Sequence, residues 1–146
     1  GLEPIYVEGA TGYYDTNYLG KAEAGLKALE KKDFVFIHIE APDEAGHNGD
    51  LRAKISVIEK IDYFIVRTIL KEVEKLDDFR ILLCSDHPTP LSLRTHTREP
   101  VFFAMYGKGI EKDSVEGFNE KSAQASEWII EEGYKLMDYF IKGWTL

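Results

Sequence analysis

The sequence predicts an α/β fold in which helices cover both faces of a mostly parallel sheet. Residues 34–40 and 79–85 are nearly continuous apolar runs, which is typical of strands that are buried on both faces. The predicted elements follow in the order helix, strand, helix, strand, strand, helix, and this alternation favours a parallel sheet. Three strands are few for a free-standing α/β domain, so we expect residues 1–146 to form part of a larger domain.

The first half of the chain predicts two helices separated by a strand. A loop rich in Gly and Tyr precedes a helix over residues 18–32, in which apolar residues recur at helical spacing. The strand over residues 34–40 (FVFIHIE) ends at Pro42. A long amphipathic helix is predicted over residues 50–76, because isoleucines recur along one side of it. These isoleucines are Ile55, Ile58, Ile61, Ile65 and Ile69.

The second half predicts two strands and a final helix. Residues 79–85 (FRILLCS) form the second strand and residues 100–106 the third. Between them, Pro88 and Pro90 break regular structure and predict a loop. Residues 121–141 carry apolar side chains at helical spacing and predict the last helix.

The composition is that of a soluble, acidic domain. Its net charge of −8 argues against binding to nucleic acid or to an anionic membrane, because the chain has no basic surplus. A small anionic substrate is still compatible with this charge, since bound metal ions would supply local positive charge. Cys84 is the only cysteine, which excludes an internal disulfide. With no signal peptide and no apolar run of membrane-spanning length, we expect a cytoplasmic protein.

Carboxylates and histidines concentrate in three short segments. PDEAGH at 42–47 holds Asp43 and His47, SDHPTP at 85–90 holds Asp86 and His87, and THT at 95–97 holds His96. Carboxylate and imidazole are the ligand set of Zn²⁺, Mn²⁺ and related ions. The first two segments directly follow predicted strands, and open α/β sheets place ligands beyond the carboxyl ends of their strands. The three segments together therefore predict a dinuclear metal site for phosphate chemistry.

Each segment taken alone also has a simpler interpretation. Asp43 could cap a helix beside a surface His47, although their four-residue spacing places both on one face of a helix. Asp86 and His87 could mark an ordinary strand exit, because adjacent strand residues point to opposite sides unless the chain bends. His96 could be an ordinary loop histidine. Chance placement of all three features is less probable than chance placement of one, which favours the metal site.

Two arginines flank the THT segment. Arg94 and Arg98 suit bidentate binding of a phosphate or a carboxylate, but they could equally be solvated surface charges. The chain has neither a glycine-rich phosphate loop of the Walker type nor a GxSxG nucleophile elbow.

Four motifs together resemble one enzyme family. The segments GATGYYDTNYLGKA, EAPDEAGHNGD with KISVIEKID, SDHPTP and RTHTREPVFF are similar to those of the archaeal-type cofactor-independent phosphoglycerate mutases. These enzymes belong to the alkaline phosphatase superfamily, and the resemblance runs from Gly9 to the last predicted helix. It implies an alkaline-phosphatase-like fold and a glycolytic isomerase that interconverts 3-phosphoglycerate and 2-phosphoglycerate.

The resemblance also implies a set of ligands and a missing nucleophile. By motif match, Asp43, His47 and His96 would bind one divalent ion, and Asp86 and His87 would contribute to a second. Mn²⁺ is the favoured metal, with Zn²⁺ or Mg²⁺ as alternatives. The family's serine nucleophile matches no serine of this chain, so residues 1–146 resemble the C-terminal part of the catalytic domain, and we expect them to be inactive alone.

Two other functions remain open from the sequence. One is a different phosphotransferase or phosphatase on the same scaffold, for example of the homoserine kinase type, because substrate choice depends on residues outside this chain. The other is a metal-binding domain without catalysis. We also expect self-association through apolar surface that the remainder of the domain would cover.

Overall fold

The computed structural model describes residues 1–126 and 128–143 and divides into two compact units. The first unit comprises Gly1–Leu76 and Thr89–Thr97, and the second comprises Asp77–Pro88 and Arg98–Leu146. In the part of the chain that the model describes, no helix combines the length and the apolar character that crossing a membrane requires.

The first unit begins with a loop and two helices. Helix α1 spans Tyr18–Leu29 and starts where the Asn17 side chain accepts a hydrogen bond from the backbone N–H of Gly20, at 2.9 Å. Helix α2 spans Ala41–Asn48, with a proline in its first turn, and ends at Gly49. Gly49 has φ of 65°, the left-handed conformation in which glycine commonly ends a helix. The first predicted helix is confirmed, and the PDEAGH segment is helical.

A helical run of three consecutive segments follows. Helix α3 (Leu51–Lys60) continues through a π-helical segment (Ile61–Val66) into helix α4 (Arg67–Val73). The run starts where the Asp50 carboxylate accepts a hydrogen bond from the N–H of Ala53, at 2.9 Å. The helical character predicted for residues 50–76 is therefore confirmed, whereas the π-helical segment was not foreseen.

The core of the first unit lies where these helices meet. Its buried members are Tyr18, Ala22, Ala41, Val57 and Ile65. The two alanines are fully buried, and their small side chains let the helix backbones approach each other closely. Of the predicted isoleucine stripe, Ile61 and Ile69 pack against this core, whereas Ile55 and Ile58 are about half exposed, at 50% and 51%.

The second unit contains a two-stranded sheet. Strand β1 (Arg80–Cys84) pairs with strand β2 (Phe103–Gly107) in an antiparallel register that sets Leu82 opposite Met105. Both strands were predicted at nearly these positions, as members of a mostly parallel sheet. The sheet seen among the described residues is antiparallel, so the mostly parallel sheet is not confirmed.

The strand predicted over residues 34–40 is not found as a strand among the described residues. Residues 34–40 pair with no other strand there, and Phe36 is 67% exposed. An apolar run becomes a strand only when a neighbour accepts its backbone hydrogen bonds. The local sequence predicted the extended shape and could not supply that neighbour.

The predicted single helix over residues 121–141 is wrong. The described residues contain α5 (Glu120–Ala123), a 3₁₀ turn (Gly133–Lys135) and α6 (Leu136–Lys142) instead. After α5, the backbone N–H of Trp128 donates to the Ser126 hydroxyl at 3.1 Å, a local bond that competes with helical pairing. Gly133 further weakens a continuous helix, because glycine is a poor helix former. Residue 127 of the predicted helix lies outside the described residues.

Candidate metal centre

Helix α2 places Asp43 and His47 on one face. The two residues are four apart, so their side chains lie above each other on the helix surface. The Nε2 atom of His47 lies 3.3 Å from the Oδ2 atom of Asp43. Asp43 is not the helix cap, because Glu40 occupies that position. The sequence predicted both side chains on one face if this segment is helical, and the segment is helical.

His96 brings a third donor to the same point from the loop of residues 95–97. Its Nε2 atom lies 3.3 Å from Oδ1 of Asp43 and 3.1 Å from Nε2 of His47. One donor atom from each of the three residues lies within 4.8 Å of the others. One carboxylate oxygen and two imidazole nitrogens in this arrangement could hold a divalent ion such as Zn²⁺ or Mn²⁺.

The tautomer of His47 suits metal binding. Its Nδ1 atom lies 3.0 Å from the backbone carbonyl oxygen of Arg94, and a carbonyl can only accept a hydrogen bond. Nδ1 therefore carries the proton, which in the neutral ring leaves the lone pair on Nε2, the atom that faces Asp43 and His96. Ligand histidines in proteins are commonly oriented by a carbonyl in this way.

Arg94 presents that carbonyl from an unusual backbone conformation. Its φ is 54°, and it is the one non-glycine residue with positive φ among the described residues. Its N–H donates to the carbonyl of Pro90 at 2.8 Å, so the residue closes a turn. The guanidinium lies against Gly49, where a Cβ atom would collide with it. The sequence suggested a role for the Arg94 side chain in anion binding, and the structure gives its backbone a role beside His47.

Thr89 and Lys54 support Asp43, and the sequence alone gave no signal for either. Thr89 is buried, and its hydroxyl donates a hydrogen bond to Oδ1 of Asp43. The Lys54 ammonium donates to the backbone carbonyl of Thr89 at 2.7 Å. Gly46 is the neighbour that permits this packing, because a Cβ atom there would meet the Thr89 backbone. A glycine in the middle of a short helix was the one available hint of a close approach.

Asp86 and His87 follow β1 in the second unit. Oδ1 of Asp86 accepts a hydrogen bond from the His87 backbone N–H at 3.0 Å, and its Oδ2 lies 3.5 Å from Nε2 of His87. The chain leaves the strand before this pair, so the two side chains are not forced to opposite sides. Their contribution to a second metal ion stays a prediction.

A comparison with known protein families gives the class to which the chain belongs. The family model described as the Metalloenzyme superfamily matches residues 1–135. The chain therefore belongs to the Metalloenzyme superfamily.

Individual relatives show which enzymes of this superfamily the chain is similar to. The chain is 49% identical over 142 residues to the probable 2,3-bisphosphoglycerate-independent phosphoglycerate mutase of Geobacter sulfurreducens. It is 48% identical over 144 residues to the 2,3-bisphosphoglycerate-independent phosphoglycerate mutase of Methanosarcina acetivorans. Each alignment covers 97% of this chain and 36% of the relative, so the chain spans about a third of the length of these relatives. The resemblance predicted from the motifs is confirmed.

A solved structure is similar to the chain as well. The PH0037 protein of Pyrococcus horikoshii superposes with a TM-score of 0.81 at 30% sequence identity. The match covers 93% of this chain and 41% of that protein.

Proposed function

We propose that residues 1–146 are the C-terminal part of the catalytic domain of a 2,3-bisphosphoglycerate-independent phosphoglycerate mutase. The full protein would interconvert 3-phosphoglycerate and 2-phosphoglycerate. The observation that carries the proposal is the convergence of Asp43, His47 and His96, with donor atoms within 4.8 Å of one another. The names of the relatives, at 45–49% identity, support the same reaction.

The proposed ligand groups are those expected from the sequence. Asp43, His47 and His96 hold one divalent ion, and Asp86 and His87 contribute to a second. Mn²⁺ is the proposed metal. When bound, such ions neutralise charge on the transferring phosphoryl group and lower the pKa of an attacking hydroxyl. The donor set fits this role, because the proton on Nδ1 of His47 is held by the Arg94 carbonyl and its Nε2 lone pair faces Asp43.

The remaining parts of the machinery lie outside this chain in the proposal. A serine there takes the phosphoryl group and returns it to the other hydroxyl of the glycerate, which is nucleophilic catalysis. Further strands complete a mostly parallel, alkaline-phosphatase-like sheet with helices on both faces, and residues 34–40 supply one of its strands. The substrate is a small phosphorylated metabolite rather than nucleic acid or membrane, and the proposed location is the cytoplasm.

The test is an assay of the full-length protein with Mn²⁺ and 3-phosphoglycerate. We expect conversion to 2-phosphoglycerate, and a loss of more than about 100-fold in Asp43→Ala and His96→Ala, because each removes a metal ligand. Asp33→Ala is the matched control, since this carboxylate is exposed and lies outside both the cluster and the proposed strand of residues 34–40. We expect this variant to retain activity.

The alternatives make different predictions in the same assay. Turnover of homoserine and ATP without mutase activity would identify a kinase of related mechanism. Metal binding at the cluster without turnover of either substrate would identify a non-catalytic metal-binding domain. Full mutase activity in Asp43→Ala would contradict the proposed site.

A further inference from the structure

Thr89 occupies a constrained position behind the ligand cluster. Only 5% of the residue is exposed, and its hydroxyl donates to Oδ1 of Asp43. The same oxygen faces Nε2 of His96 at 3.3 Å, whereas Oδ2 faces Nε2 of His47. The Thr89 hydrogen bond therefore acts on the oxygen that also faces the loop histidine.

This hydrogen bond restricts how the carboxylate is turned. The terminal torsion of an aspartate is soft, so a carboxylate without a fixed partner samples a broad range of orientations. An ionised carboxylate offers about four lone-pair sites, and a donor on one of them selects which others point forward. With Thr89 on Oδ1, the carboxylate presents one oxygen toward each histidine.

Two contacts hold Thr89 itself in place. The Lys54 ammonium, from the first turn of α3, donates to the Thr89 carbonyl at 2.7 Å. On the opposite helix, the absent side chain of Gly46 leaves the space in which the Thr89 backbone and methyl group lie. These contacts restrain the Thr89 backbone, and with it the position from which the hydroxyl reaches Asp43.

We propose that Thr89 is a positioning residue of the metal centre: its hydroxyl fixes the Asp43 carboxylate for cation binding, and Lys54 fixes Thr89. This inference rests on the proposed function, in that Asp43, His47 and His96 hold a divalent cation. A purely structural Thr89 would tie the 89–97 segment to α2 and would affect stability without affecting cation affinity in the folded protein.

The experiment is a Zn²⁺ titration of the purified chain of residues 1–146. It is followed through the imidazole ¹⁵N chemical shifts of the four histidines, which report on each site separately. In the parent protein, we expect Zn²⁺ to shift Nε2 of His47 and His96. Thr89→Val removes the hydroxyl and keeps the branched shape, so the apparent Kd should rise about 10- to 100-fold. Thr89→Ser restores a hydroxyl and should stay within about 3-fold of the parent. Circular dichroism and thermal unfolding establish that each variant is folded.

Lys54→Met is the second variant, because it leaves the Thr89 side chain intact. It should raise the apparent Kd about 3- to 10-fold, because it removes the ammonium that holds the Thr89 carbonyl. If Thr89→Val does not fold, Lys54→Met decides: a raised Kd supports the proposal and an unchanged Kd overturns it.

The remaining outcomes separate this inference from the proposed function. A folded Thr89→Val variant with the parent's Zn²⁺ affinity overturns the positioning role, while loss of binding in Asp43→Ala leaves the metal site standing. If Zn²⁺ shifts neither His47 nor His96 in the parent protein, the metal site and the positioning role both fail.

Discussion

At the scale of single residues, the candidate site depends on two groups that no sequence motif identifies. His47 is held by a backbone carbonyl and Asp43 by a threonine hydroxyl, and neither partner is near its ligand in sequence. Asp43, His47 and His96 were predicted as ligands from the combination of their segments, because carboxylate and imidazole together form a metal-binding set. Local patterns could not predict Thr89, because a threonine after a proline is common in loops and its partner lies 46 residues away.

Gly46 gives the first residue-scale prediction. Replacing a helical glycine by alanine ordinarily stabilises a helix by up to about 1 kcal/mol. Here the new Cβ would meet the carbonyl oxygen and methyl group of Thr89, so Gly46→Ala should destabilise the protein by about 1–3 kcal/mol. Urea unfolding measures the change. Gly25→Ala is the matched control, because its Cβ meets only side-chain atoms of Val35 and Ile37 and should cost less.

Arg94 gives the second residue-scale prediction. Its φ of 54° is accessible to asparagine and strongly unfavourable for a β-branched residue. Arg94→Val should therefore lower the free energy of unfolding by about 1–2 kcal/mol and displace the carbonyl that holds His47. Arg94→Asn should be tolerated. Equal stability of the two variants in thermal unfolding would show that the left-handed conformation is not required.

At the scale of elements, helices were predicted better than strands. A helix forms its hydrogen bonds within itself, so residues 18–29 and 51–73 were recognisable from their apolar spacing. A strand depends on a neighbour, so the apolar run at residues 34–40 predicted a strand without its partner. A mostly parallel sheet was expected, whereas β1 and β2 are antiparallel. The last helix failed where Ser126 offered the backbone a competing bond.

The start of α1 predicts a specific pH dependence. Tyr18 is buried there, and burial raises the pKa of its phenol because the charged form is disfavoured. The folded state then binds this proton more tightly than the unfolded state. The corresponding stability is present below about pH 10 and is lost as the pH rises through the folded pKa.

Tyr18→Phe should reduce this alkaline loss, measured by urea unfolding between about pH 8 and pH 11. Tyr6→Phe is the matched control, because Tyr6 is 89% exposed. The same alkaline slope in Tyr18→Phe and in the parent would assign the effect to other groups.

At the scale of the whole molecule, many large apolar side chains are exposed. Along one side of α3, Leu51, Ile55 and Ile58 are each about half exposed or more, and Phe36 is exposed in the segment of residues 34–40. An apolar helix face of this kind usually has a partner. The helical spacing of the isoleucines predicted one apolar face, and whether that face is buried depends on neighbours that the local sequence does not specify.

We therefore expect residues 1–146 to self-associate in a concentration-dependent way. Sedimentation velocity should show the mean mass rising with concentration, and the paired change Ile55→Glu and Ile58→Glu should reduce this rise, because it places charge on the apolar face. Glu59→Ala, on the same helix, serves as the control. A monomer at all concentrations would contradict the expectation.

The distance in sequence between the ligands has a consequence for how the protein is made. His96 lies 49 residues after His47, so during synthesis Asp43 and His47 leave the ribosome well before their third partner. The nascent chain cannot offer the complete ligand set until the whole α3–α4 run and β1 have been translated. Long-range closures of this kind form late, because chain entropy opposes them. A cation that binds only the finished cluster would then stabilise the folded chain and not the unfinished one, so its binding would favour the last step of folding.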